Sequence, residues 1–133
     1  MTVIELKKMI TTFLKTKSSR VFNKQAPAGV QYPYVIYTLE RSETNENQVM
    51  EEFDLVIEVY DNNQFDSTAL DTLVGSIDGD GNISAASGLH RKHYHVANTL
   101  NASFYRYSRE EVEQKDQVIN CVELSYDVLV YLS

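Results

Sequence analysis

A chain of 133 residues, 43% hydrophobic and 23% charged, is the size of one domain and can bury a core without staples. Its formal net charge of -7 argues against general affinity for nucleic acid, where binding is dominated by neutralising phosphates. No apolar run approaches the roughly 20 residues that span a bilayer. The single cysteine, Cys121, excludes an internal disulfide and fits a reducing compartment.

Thr2-Val3-Ile4-Glu5 has the spacing of a capping box. Leu6, Met9, Ile10, Phe13 and Leu14 follow with i, i+3, i+4, i+7 spacing, which predicts an amphipathic helix from Val3 to Thr16 with Lys7, Lys8 and Lys15 on its wet side. Arg20 to Asn23 reads as a short strand and Gln25 to Gly29 as a loop. Pro33 pushes Tyr32 towards an extended conformation, and the aromatic and β-branched run Tyr34 to Leu39 predicts a strand. Glu43 to Gln48 contains no apolar residue and reads as a loop or the tip of a long hairpin. Phe53, Leu55, Ile57 and Val59 then alternate with more polar neighbours, the period of a strand with one apolar face.

Asp61-Asn62-Asn63 ends that strand and offers a helix cap. Phe65, Ala69, Leu70, Leu73, Val74 and Ile77 predict a second amphipathic helix, stopped at Asp78-Gly79-Asp80-Gly81-Asn82. Ile83 to Asn98 gives no clear pattern. Leu100 to Tyr107 reads as a strand, Glu110 to Gln117 as a charged turn, and Val118 to Leu132 as the longest strand. Together these elements predict an α+β fold: a mainly antiparallel β-sheet, with two amphipathic helices packed on one face, in a single domain covering residues 1–133.

Charge is unevenly distributed. Lys7, Lys8, Lys15, Lys17 and Arg20 make the start basic, whereas Glu40 to Asp66 is acidic with Arg41 as its only cation. Such polarity suits a protein that meets partners at two surfaces, and equally a chain whose charges merely face water.

The residues that could carry chemistry argue against an enzyme. Asp78 to Ile83 resembles the middle of a calcium loop, but its first and twelfth ligand positions fall on Ser76 and Ser87, leaving too few carboxylates for a hard dication. His90, His93 and His95 cluster without an evident fourth ligand and beside Arg91 and Lys92, which repel a metal. They read better as a basic segment whose contact with an acidic partner tightens as pH falls. Neither a nucleophile elbow nor a phosphate loop is present, and no metal or cofactor is expected. Nine tyrosines lie mainly on predicted strands, where a ring can pack while its hydroxyl stays wet.

The order of these pieces resembles the tail-completion, or tail-terminator, proteins of long-tailed bacteriophages. The resemblance rests on the N-terminal helix, Pro27-Ala28-Gly29, Tyr32-Pro33-Tyr34-Val35-Ile36-Tyr37, the acidic gap, Leu55 to Asn62 with the helix after it, and the closing strands from Cys121 to Tyr131. The segment 78–98 departs from it. The resemblance implies a virion structural protein that caps the finished tail tube as a ring, commonly of six subunits, and joins the tail to the head. The expected partners are other copies of itself, the tail-tube protein and the head connector, with no membrane and no sequence-specific nucleic acid. On this reading Arg41, Glu43, Asn45, Glu46 and Asn47 are the expected contact residues, and a chain lacking Glu43 to Asn47 is expected to fold but not assemble. The alternatives are another ring-forming neck or tube protein, or a small domain that binds a cation or ligand.

Overall fold

The computed structural model describes residues 2–44, 50–63, 66–79, 88–96, 100–112 and 119–131. Helix α1 (Thr2–Lys15) is followed by strands β1 (Val21–Asn23), β2 (Tyr34–Thr44) and β3 (Met50–Asp61). Helix α2 (Thr68–Asp78) comes next, and then β4 (His93–Val96), β5 (Leu100–Val112) and β6 (Asn120–Tyr131). The strands form a six-stranded sheet in the order β1-β2-β3-β6-β5-β4.

The sheet is mixed. β1 runs parallel to β2, pairing Val21 with Val35, while the other neighbours are antiparallel. The mainly antiparallel expectation holds for four of the five pairings, and the β1 edge departs from it. β1 is only three residues long, and its direction depends on how residues 24–33 lead the chain back, which no local period records. Gly29 stands in that connection at φ 80, a backbone state open to glycine without a Cβ clash.

One apolar cluster joins both helices to one face of the sheet. Leu6, Ile10, Phe13 and Leu14 from α1 meet Leu70, Val74 and Ile77 from α2 over Phe53, Leu55, Ile57 and Val59 of β3 and Val122, Leu124, Tyr126, Val128 and Val130 of β6. The pairing explains this one-sidedness: Val35, Val59 and Val122 stand in one row, and Tyr37, Ile57 and Leu124 in the next. The helical stripe and the strand alternation were therefore both legible from apolar spacing.

Several local expectations change. α1 already includes Thr2, one residue before the expected start. α2 starts at Thr68, and Asp61-Asn62-Asn63 does not cap it. Instead the Asp66 carboxylate accepts from the Thr68 backbone N–H and hydroxyl at 2.9 and 2.6 Å, and Asn63 Oδ1 accepts from the Asp66 N–H at 3.1 Å. Those bonds hold the Asp66 carboxyl below its usual range. Ala69 is exposed, although it was expected on the apolar stripe. Gly79 does end α2, at φ 89 with its N–H bonded to the Gly75 carbonyl. β5 runs on through the expected turn at Glu110, pairing Glu110 with Glu123 and Val112 with Cys121. Charge does not break a strand when alternate side chains face water. Phe65, Asp80–Ser87, Val118 and Leu132 lie outside the described residues.

Candidate functional site

The helices leave the other face of the sheet uncovered among the described residues. Because the side-chain period is two, this face carries the even positions of β2 and β3 and the odd positions of β6. The register then brings carboxylates side by side. Glu58 of β3 is opposite Glu123 of β6, and Glu123 is opposite Glu110 of β5. Four residues along β3, Asp54 lies between Glu40 of β2 and Asp127 of β6. Two acidic rows thus cross the sheet. Burial, and then the charges of Glu58 and Glu110, raise the Glu123 carboxyl above its usual range.

Tyrosines surround these rows. The Tyr60 hydroxyl donates to Glu58 at 2.6 Å, and the Tyr107 hydroxyl donates to Asp54 at 2.7 Å. Tyr34 stacks on Tyr60 with ring centroids 4.9 Å apart, and Tyr32 and Phe22 extend this aromatic patch to the β1 edge. Tyr105 and Tyr107 are 45% and 56% exposed, enough to offer ring area to a partner. No lysine or arginine occupies an open-face position on β2, β3, β5 or β6 among the described residues. The arginines of these strands point elsewhere: Arg106 and Arg109 pair with Asp78 and Asp71 of α2, and Arg41 lies over the Phe53 ring. The alternating acids were visible in the sequence. Their alignment into rows was not, because it depends on strand pairing.

The expected contact residues lie at the far end of the β2–β3 ladder. Arg41 is exposed and bonds Glu51 at 3.2 Å across the hairpin, next to an irregularity in register between Arg41 and Glu43. Glu43 is a ladder residue opposite Glu52, and β2 ends at Thr44, opposite Glu51. The acidic gap is therefore a long hairpin. Asn45, Glu46 and Asn47 lie outside the described residues.

Asp78, the last residue of α2, is a packing residue. A carboxylate in the last turn of a helix opposes the helix dipole, yet Asp78 is almost fully buried. It is held there by an ion pair with Arg106 of β5 and by the Tyr126 hydroxyl of β6, which donates at 2.6 Å. Burial and the Asp78 charge raise the Tyr126 pKa far above the ordinary phenol value, so the hydroxyl stays a donor. The histidines are separated in role. His90 Nδ1 accepts from the Arg106 N–H at 2.9 Å, and burial lowers its pKa, so it stays neutral inside the fold. His93 shares a hydrogen bond with Ser103 at 2.6 Å, and His95 is exposed. His90 thus leaves the expected basic cluster, while His93 and His95 remain exposed on β4. No group of three or more metal-ligating side chains is arranged to hold an ion among the described residues. Cys121 is 3% exposed, and burial, with the Glu58 charge second, pushes its thiol up to about 11. No helix is long and apolar enough to cross a membrane among the described residues.

No family model and no curated protein matches this chain. Among solved structures, the fold is similar to that of a chain in a "Virion of native gene transfer agent (GTA) particle". That likeness has a TM-score of 0.57 at 12% identity, and it covers 89% of this chain and 84% of the other. At that identity the likeness establishes a shared fold.

Proposed function

We propose that this chain is a structural protein of a virion, and within it a tail terminator: a ring that closes the tail tube and joins it to the head. The observation that carries the reading is the fold likeness to a virion chain, which spans most of both proteins. The element order that resembles tail-completion proteins supports the narrower role. The site chemistry fits an assembly protein rather than a catalyst. Arg106, Arg109 and Tyr126 are spent on packing α2, while the face of the sheet away from the helices is aromatic and acidic. On this reading the partners are other copies of the chain, the tube protein and the head connector, and the hairpin end with Arg41, Glu43, Asn45, Glu46 and Asn47 meets one of them.

The test is electron microscopy of particles made without this gene. Loss of a terminator leaves overlong tails or heads without tails. Absence of any tail would instead assign the chain to the tube or to an earlier neck step, and normal particles would refute a virion role. Because β2 includes Glu43 and Thr44, the hairpin is best probed by replacing Asn45, Glu46 and Asn47 with glycine or serine, which keeps the ladder intact. Such a chain is expected to fold and fail to join heads to tails.

A further inference from the structure

We propose that the open face of the sheet docks onto the α1 side of a second copy of this chain, front to back. The argument begins with cost. Like charges directly opposite on neighbouring strands are destabilising, yet the register aligns Glu58, Glu123 and Glu110 in one row and Glu40, Asp54 and Asp127 in another. No cation of the described strands offsets them on that face, since the strand arginines are engaged by α2 or by the Phe53 ring. Within a single copy the described residues offset these charges on that face with neutral donors, the Tyr60 and Tyr107 hydroxyls on Glu58 and Asp54, and with no cation.

The same chain presents the complement on its other side. Lys7, Lys8 and Lys15 lie off the buried stripe of α1, and Lys17 and Arg20 follow it. The sole acid described on α1 is Glu5, which makes only a long 3.9 Å contact to Lys8. The spacings agree. Asp54 and Glu58 are four residues apart on a strand, about 13 Å at roughly 3.3 Å per residue. Lys7 and Lys15 are eight apart on a helix, about 12 Å at 1.5 Å per residue. A helix laid along the strands therefore sets one end of its charge on each acidic row. Shape follows charge: Ile4, which is 56% exposed, lines a shallow depression with Lys7, Lys8, Thr11 and Thr12. Tyr105 and Tyr107 are the exposed rings beside the acidic rows that can seat in it.

A contact between two different faces of one chain is heterologous, so it propagates into a ring or a filament. The proposal deepens the ring reading above by naming its subunit contact, and it rests on that reading for closure into a ring.

Sedimentation velocity on the purified full chain tests it. At low salt the wild type is expected to associate, and in about 1 M salt, where the screening length falls to about 3 Å, to weaken by roughly tenfold or more. Glu58→Lys with Glu123→Lys should abolish association, and so should Lys7→Glu with Lys8→Glu and Lys15→Glu. Mixing the two reversed chains should restore it, because each then offers the other a complementary face while repelling itself. Circular dichroism confirms folding, and the milder Glu58→Gln with Glu123→Gln pair should weaken association if the lysine pair does not fold. A wild type that stays monomeric at low salt, reversals without effect, or a mixture that does not associate would each overturn the contact. The virion reading is judged separately. A chain that associates as described but whose loss leaves particles normal refutes the role and keeps the contact. Tail defects on gene loss, with charge reversals that assemble normally, do the opposite.

Discussion

Removing the hydroxyl of Tyr126 tests how α2 is fixed to the sheet. Tyr126 is fully buried and its hydroxyl donates to Asp78 at 2.6 Å, while Arg106 binds the other carboxylate oxygen. A hydrogen bond to a charged group contributes about 1.5–3 kcal/mol. Tyr126→Phe keeps the ring, and Asp78 keeps Arg106, so a loss near the lower end, about 1.5–2 kcal/mol, is expected. Asp78→Asn removes the buried charge. Breaking a buried pair costs about 3–5 kcal/mol when the survivor is stranded. The Arg106 side chain retains 27% of its exposure and can regain water, which places the expected loss near 3 kcal/mol. The double variant should fall short of the sum by about 1 kcal/mol, because both changes act on one carboxylate. Urea melts followed by far-UV circular dichroism measure all of these. Calcium should leave every melt unchanged, since the carboxylate is already used. If each single variant stays within about 0.5 kcal/mol of wild type, the network does not anchor α2 and the reasoning fails.

Three further outcomes are expected. A methyl group at Gly88 would run into the Gly79 backbone and the Asp78 carbonyl, none of which can swing aside, so Gly88→Ala should cost about 1–3 kcal/mol by thermal melt; an unchanged melt would show that the segment around Gly88 can move off α2. Glu123 has a raised folded-state pKa, so the folded chain binds more protons than the unfolded one as pH climbs past the ordinary carboxylate value, and stability falls through that window. Glu123→Gln should therefore raise the Tm at pH 7, from about 0.5–1 kcal/mol of relieved repulsion, and the gain should vanish where both forms are protonated; a gain that persists at acid pH would point to something other than charge. Cys121 is buried and its thiol titrates at about 11, so a thiol-specific reagent at neutral pH should label it only on unfolding; rapid labelling of the folded chain would contradict this burial.

Much of the architecture was readable along the chain, and the reasons are local. The stripe Leu6, Met9, Ile10, Phe13, Leu14 could form only one face of a helix, and Phe53 to Val59 only one face of a strand. The expected charged turn at Glu110 was misplaced for a related reason. Glu110 is a surface residue in a long strand, and polarity alone does not separate a turn from a wet strand face. The calcium-like loop was set aside on ligand count, and its residues Asp80 to Ser87 lie outside the described residues. Its first carboxylate, Asp78, proved to be a packing residue, because its partners Arg106 and Tyr126 are 28 and 48 positions away.

By itself, the sequence determined that two amphipathic helices and a set of alternating strands would share one apolar cluster, because apolar spacing of 3.6 and 2 residues admits few other outcomes. It also held every charge that the candidate surface uses. Tertiary structure alone decided that those charges segregate. Strand order put β6 between β3 and β5, register set Glu58, Glu123 and Glu110 in one row, and the one-sided placement of both helices left that row facing outward, opposite the lysines of α1. Pairing between distant strands depends on which apolar faces must be buried together, so a pattern of charges on the opposite face emerges only once that burial is satisfied.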